Sequence, residues 1–210
     1  MKKYKKNLKI RLGVDIGGTF TDVVLEKGIE IFSTKVLTTA EFPELAILEG
    51  IVSVAKKANI ETSSISQIIH GTTLATNALI ERKGARTALI TTKGFRDVIE
   101  MRTESRFEQY DLNLVMPLPL ISRDDRYVIE ERISANGNVL IPINETEVTE
   151  LVKTLKTKNY QSIAIGFIHS YSNNSHEKWL RKILLKQLPN TMISISSDVS
   201  PQMREYERFN

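Results

Sequence analysis

The sequence predicts an α/β protein in which a mixed sheet is covered by helices and further βα units follow. Three observations carry that prediction. The chain opens with three short strand-like runs joined by tight turns. From Pro43 onward, helical and strand patterns alternate to the end. Ser162 to Ile168 is a near-continuous apolar run, as expected of a strand buried on both faces.

Taken in order, Leu8 to Val14 alternates apolar and polar residues and reads as a strand. Val23-Val24-Leu25 reads as a second, and Ile29 to Val36, after Glu26-Lys27-Gly28, as a third. Pro43 suits the first turn of a helix, and Leu45, Leu48, Val52 and Ala55 follow at helical spacing, so 43–58 is expected to be amphipathic. Ser66 to His70 is a short strand, Thr72 to Arg82 a helix ended by Lys83-Gly84, Arg86 to Thr91 a strand, and Gly94 to Met101 a short helix. Pro117 and Pro119 disfavour helix in the less regular stretch 102–143, where Tyr127 to Ile133 and Val139 to Ile141 flank Asn136-Gly137 as a hairpin. Asn144 and Glu147 form a capping box before Val148, Leu151, Val152 and Leu155. Asn174 and Glu177 suggest a second, before a helix ending near Leu188, and Met192 to Ser196 is the last strand. The expected organisation is a basic tail over 1–8, a first lobe over 9–101, the irregular segment 102–143, and a βα segment over 144–210.

The 210 residues suffice for one large domain or two small ones, and 41% apolar content can bury a core. Cysteine is absent, which removes disulfides and thiolate metal sites and suits a cytoplasmic location. No apolar run approaches membrane-spanning length, and the Lys-rich start has no apolar stretch after it, so neither a membrane anchor nor a signal peptide is expected. The formal charge of +4 is misleading. Six of the 29 basic residues fall in the first eleven positions, unopposed by acid, so the remaining 23 face 25 acidic residues. The basic character belongs to a tail and an edge, and no nucleic-acid partner is expected.

The central motif is Asp15-Ile16-Gly17-Gly18-Thr19-Phe20-Thr21-Asp22, between two strands. Glycines permit φ > 0 and close approach of a ligand to the backbone. Successive amides in a turn make a concavity for anions, and Thr19 and Thr21 add hydroxyls. Asp15, at a strand end, suits a metal held through water, since Mg²⁺ takes one or two carboxylates, several waters and substrate phosphates. A hairpin that grips the tail of a nucleotide fits these residues; an ordinary Gly-Gly hairpin turn is the alternative.

The second motif is His70-Gly71-Thr72-Thr73-Leu74-Ala75-Thr76-Asn77-Ala78-Leu79, after a strand and opening a helix. A helix start favours an anion or a polarised carbonyl. Thr73, Thr76 and Asn77 share one helical face, opposite Leu74, Ala75, Ala78 and Leu79, which are expected to be buried. Thr72 as a simple helix cap and Asn77 as a solvated residue is the plainer alternative.

Other chemistries are demoted. The chain has no Walker-type loop, no G-x-G-x-x-G and no G-x-S-x-G elbow. His176-Glu177 begins like a zinc-protease motif, but Leu180 stands where the second histidine is needed. His70, His169 and His176 have no mutual metal-ligand spacing.

Together GVDIGGTFTDVV, HGTTLATNALIERKGARTALITTKGFRDVIEMR, GFIHSYSNNSHE and SSDVSPQMREYER resemble the N-terminal region of the hydantoinase A / 5-oxoprolinase family, from about Lys9 to Arg208. That family includes ATP-dependent N-methylhydantoinases, 5-oxoprolinases and carboxylase subunits for acetone and acetophenone. The resemblance implies a ribonuclease H-like core of the actin / Hsp70 / sugar-kinase superfamily. Asp15, Gly17, Gly18, Thr19 and Thr21 match its first phosphate motif. It further implies ATP and Mg²⁺ as cofactors, and phosphorylation of a cyclic amide, or of a ketone's enol, before ring opening or carboxylation. Asp15 would be the catalytic, Mg²⁺-orienting residue, and the Gly17-Gly18-Thr19 amides would hold phosphate oxygens. Thr72, Thr73 and Asn77 would line the cleft to position substrate or phosphate. Arg102 and Arg106 would pair with an anion or remain solvated.

Family members continue well beyond this length, and no second D-x-G-[GT] motif appears, so the chain is expected to be an N-terminal half. Its expected partners are the missing C-terminal half or a hydantoinase B-like subunit, with a small cyclic amide as substrate. The alternatives are a non-catalytic, partner-dependent ATP-binding lobe, a carboxylase subunit, or a sugar-kinase-like phosphotransferase.

Overall fold

The structure is a computed structural model that describes residues 9–39, 41–103, 108 and 110–210. It divides between Gly84 and Ala85 into two compact units.

In the first unit, β1 (Ile10–Ile16), β2 (Phe20–Lys27) and β3 (Glu30–Leu37) form the expected antiparallel meander. The helix α1 (Pro43–Lys57) then crosses to β4 (Gln67–Thr72), which lies parallel to β1, and α2 (Leu74–Ile80) follows. The strand order is β3-β2-β1-β4, a mixed sheet. Alternation along β1 puts Leu12 and Val14 on the face covered by α1, with Val23, Leu25 and Val54. Of the apolar stripe expected on α1, only Ala55 is buried. Leu45, Leu48 and Val52 are exposed, whereas Ala46, Gly50 and Val54 face the sheet. The reason is steric: a Cβ at Gly50 would lie 2.5 Å from Val23 Cγ2, so only small residues let the helix come this close. The helix α2 starts two residues later than expected and buries none of its residues fully; Leu74 alone packs partly on the core.

In the second unit, β5 (Thr87–Thr92), α3 (Val98–Met101), β6 (Arg126–Ile129), β7 (Arg132–Ile133) and β8 (Val139–Ile141) precede α4 (Glu145–Lys158). Then come β9 (Ser162–Gly166), α5 (Ser175–Gln187), β10 (Met192–Ile195), α6 (Ser196–Val199) and α7 (Glu205–Phe209). A parallel sheet runs in the order β10-β9-β5-β6. Its core joins Ala88, Ile90, Ile163 and Ile165 to Leu151, Leu155, Leu180 and Leu184 of α4 and α5.

Several expectations need correction. The first lobe does not reach residue 101: β5 pairs with β6 and β9, so it belongs to the second sheet. The stretch Tyr127 to Ile133 is not one hairpin strand. Its first part joins the parallel sheet as β6, and only Arg132–Ile133 pairs with β8. Asn144 does cap α4, accepting from Thr146 N at 2.9 Å, but Glu147 accepts instead from Glu130 N at 3.0 Å, so no reciprocal box closes. Asn174 makes no side-chain cap, and Glu177 turns inward to accept from Phe167 N, Ser196 Oγ, Ser197 N and Ser197 Oγ. That buried carboxylate has found stronger donors than the helix end offered. No helix among the described residues is long and apolar enough to cross a membrane.

Candidate functional site

The turn between β1 and β2 is held from three directions. Gly17 N–H donates to Phe20 O at 2.9 Å and closes the turn. The first residue after β3, Thr38, donates from its hydroxyl to Gly17 O at 3.0 Å and from its amide to Thr19 O at 2.9 Å. Ile16 O, at the end of β1, accepts from Thr73 N at 3.1 Å and from Thr72 Oγ1 at 3.3 Å, which ties the turn to the start of α2. The Gly18 and Thr19 amides enter no backbone hydrogen bond among the described residues.

This geometry revises the roles of single residues. Neither Gly17 nor Gly18 has positive φ, so the expected conformational reason for the pair fails. Close approach is the reason instead. A Cβ at Gly17 would sit 2.9 Å from Phe20 O, and one at Gly18 would sit 3.2 Å from Asn77 Nδ2. The Gly17 amide is consumed inside the turn, which leaves Gly18 and Thr19 as the available donors. Thr21 is fully buried, with Oγ1 3.0 Å from Thr38 Oγ1, so its hydroxyl is not presented to solvent.

The two sequence motifs, more than fifty residues apart, meet here. In register, Asp15 lies between Asp22 of β2 and Gly71 of β4. Lys35 engages Asp22 at 3.0 Å, whereas the exposed Asp15 carboxylate has no partner among the described residues. Gly71 leaves space beside it, since a Cβ there would lie 4.0 Å from Asp15 Oδ1. Thr72 Oγ1 accepts from Leu74 N at 3.2 Å in a turn just ahead of α2, whose N-cap residue, Thr73, makes no side-chain cap bond. Asn77 Nδ2 is 3.5 Å from Thr73 Oγ1 and overlies Gly18. The arrangement is a polar rim: a carboxylate and two amides without partners among the described residues, two threonines and a carboxamide. Among the described residues no group of His, Asp and Glu forms a ready-made metal cage. A single carboxylate is what a Mg²⁺ bound mostly by phosphate and water requires.

Residues outside the rim have other partners. Arg102 donates to Pro117 O, and Arg106 lies outside the described residues. His169 Nδ1 pairs with Ile133 O at 2.8 Å, His176 Nδ1 pairs with the buried Glu131 at 2.6 Å, and His70 is exposed on β4. Sequence reasoning missed Thr38; its only signal was a threonine just past the end of a strand.

The family model for the hydantoinase/oxoprolinase N-terminal region matches residues 11–188. The chain belongs to this family. An uncharacterised protein of Methanocaldococcus jannaschii is 43% identical over 203 residues, which cover 94% of this chain and 29% of that protein. The crystal structure of the ATP-dependent caprolactamase from Pseudomonas jessenii superposes with a TM-score of 0.81 at 31% identity, over 95% of this chain and 30% of that one. Nucleotide-free acetone carboxylase superposes with a TM-score of 0.86 over 97% of this chain and 31% of its own; at 23% identity this shows the fold alone. The chain thus spans about three-tenths of the length of these hydantoinase/oxoprolinase relatives. Its mixed first sheet with α1 packed across it is consistent with the ribonuclease H-like core expected of the family.

Proposed function

We propose that this chain is the N-terminal, nucleotide-gripping part of an ATP-dependent cyclic amidohydrolase of the hydantoinase/oxoprolinase type. The observation that carries the reading is the convergence of the β1–β2 turn and the start of α2 on Ile16 O, with the Asp15 carboxylate and the Gly18 and Thr19 amides left without partners among the described residues. Those residues fit a polyphosphate: amides donate to anionic oxygens, and a lone carboxylate orients a hydrated Mg²⁺. ATP would supply the phosphoryl group that activates a poorly electrophilic amide carbonyl. The chain's own part is positioning and charge stabilisation, which dominate phosphoryl transfer. In this reading Thr72, Thr73 and Asn77 border the phosphate or the substrate, and Thr21 supports the turn through Thr38. The remaining groups around the nucleotide would come from a C-terminal portion or a hydantoinase B-like subunit, and the protein would work in the cytoplasm. The name of the Pseudomonas relative, an ATP-dependent caprolactamase, supports a lactam-like substrate class.

The test is Asp15→Ala in the assembled enzyme, followed by steady-state ATP hydrolysis and a melting curve. The expected result is loss of Mg·ATP-dependent turnover with the fold retained. Near-normal turnover by the folded variant overturns the assignment.

A further inference from the structure

We infer that Thr38 is a positioning residue that aims the phosphate-facing amides of the β1–β2 turn. The inference rests on the proposed nucleotide role of that turn. It adds a residue that lies outside both sequence motifs.

The peptide unit is planar. Gly17 O and the Gly18 N–H belong to one rigid plane and point in opposite directions. A bond that fixes Gly17 O therefore fixes the direction of the Gly18 N–H. The Thr38 hydroxyl makes that bond at 3.0 Å. The Thr38 amide fixes the next-but-one plane through Thr19 O at 2.9 Å. The Gly18–Thr19 peptide, which carries the Thr19 N–H, is thus held between two pinned planes. Both bonds come from Thr38, so the Gly18 N–H, opposite Gly17 O in its peptide plane, is turned away from the Thr38 hydroxyl. The hydroxyl is itself oriented. Thr38 Oγ1 has one hydrogen, which it donates to Gly17 O, and so it accepts from the buried Thr21 Oγ1 at 3.0 Å. The relay Thr21 → Thr38 → Gly17 O accounts for a fully buried threonine hydroxyl beneath the turn. Donors that are held in place before the ligand arrives need no reorganisation when it binds.

The experiment compares Thr38→Val, Thr38→Ser and Thr21→Val in the complete enzyme. Three measurements are made on each: amide hydrogen exchange of Gly17 to Phe20 without ligand, titration with Mg·ATP, and the melting temperature. Thr38→Ser keeps the hydroxyl and should match the parent in all three. Thr38→Val should speed exchange of the Gly17 amide, which bonds Phe20 O across the loosened turn, and weaken Mg·ATP binding about tenfold while the protein stays folded. Thr21→Val leaves the Thr38 bond to Gly17 possible and should lose less than half as much, on the logarithmic scale, as Thr38→Val. Parent-like turn exchange in Thr38→Val, or equal losses in Thr38→Ser and Thr38→Val, overturns the inference. If Thr38→Val unfolds, the Thr38→Ser and Thr21→Val pair decides: a tenfold loss in Thr38→Ser overturns it, and parent-like behaviour supports it. The ligand-free exchange keeps this result apart from the nucleotide assignment. An enzyme that binds no Mg·ATP would refute the proposed function yet still report whether Thr38 orders the turn.

Discussion

Asn77 Nδ2 lies close over Gly18: a Cβ at position 18 would meet it at 3.2 Å, tight enough that the carboxamide must give by a few tenths of an ångström. This contact joins the first motif of the sequence to the second. Gly18→Ala should therefore push the Asn77 carboxamide aside or tilt the turn amides. The expected outcome is at least a fivefold weaker Mg·ATP affinity in the complete enzyme, measured by calorimetric titration, with a melting temperature close to the parent's. Unchanged affinity would mean that the junction is not part of the binding surface.

The exposed Thr73, at the N-cap of α2, and the half-buried Asn77 meet beside that junction. Alanine at either should lower kcat/KM of the complete enzyme more than it lowers stability, because changes at exposed positions usually stay within about ±0.5 kcal/mol. A fall in melting temperature with unchanged turnover would mark them as structural.

Gly50 predicts a different kind of effect. Its would-be Cβ lies 2.5 Å from Val23 Cγ2, in the interface between α1 and the first sheet. Gly50→Ala should destabilise by about 1–3 kcal/mol, the usual cost of overpacking, despite alanine's better helix propensity. Denaturant unfolding measures this, and Val23→Ala in the same chain should recover part of the loss.

Glu177 holds together the carboxyl ends of β9 and β10. It accepts from Phe167 N and from both Ser196 and Ser197, and Arg208 donates to Ser196 Oγ and to Phe167 O in the same cluster. Glu177→Ala strands several buried donors, each costing about 1–3 kcal/mol. A loss of at least about 2 kcal/mol in the second unit's unfolding transition is expected. A smaller loss would show that water satisfies those donors.

The pH dependence of the second unit follows from Tyr160 and Asp125. Tyr160 donates to Asp125 Oδ1 at 2.5 Å, and Tyr127 Oη lies 2.9 Å from Tyr160 Oη. The hydrogen bond from Tyr160 holds the Asp125 carboxyl below its ordinary value of 3.8, and Arg86 adds to the effect. A depressed carboxyl contributes stability that is present above its unfolded value and is lost as pH falls through the folded one. Burial and the bond to Asp125 push the Tyr160 phenol well above its ordinary value of 10.0. That contribution is complete below the unfolded value and is lost as the phenol ionises at higher pH. Denaturation measured from pH 2 to 11 should therefore show loss at both ends, and Tyr160→Phe should flatten both limbs. Limbs of unchanged steepness in that variant would assign the pH dependence to other groups.

Local pattern alone determined a good deal here. Alternation from Ile10 to Leu37 specified the three-strand meander, because a strand's faces repeat every two residues and one face must leave water. The string from Asp15 to Thr19 and the string from Thr72 to Asn77 were both visible as polar residues at strand and helix ends. Only the tertiary structure decided what each residue does there. Thr21 is covered and Thr38 holds the turn because β3 returns alongside β2. The buried face of α1 was misread for the same reason. Leu45, Leu48 and Val52 are the more hydrophobic stripe, but the close approach at Gly50 selects the small-residue face. Likewise Glu177, placed in sequence like a capping residue, is drawn inward by donors on α6 and just after β9. Periodicity reports which residues prefer to avoid water. Which partners they meet is set by strands and helices brought together from far along the chain, and no local window contains that information.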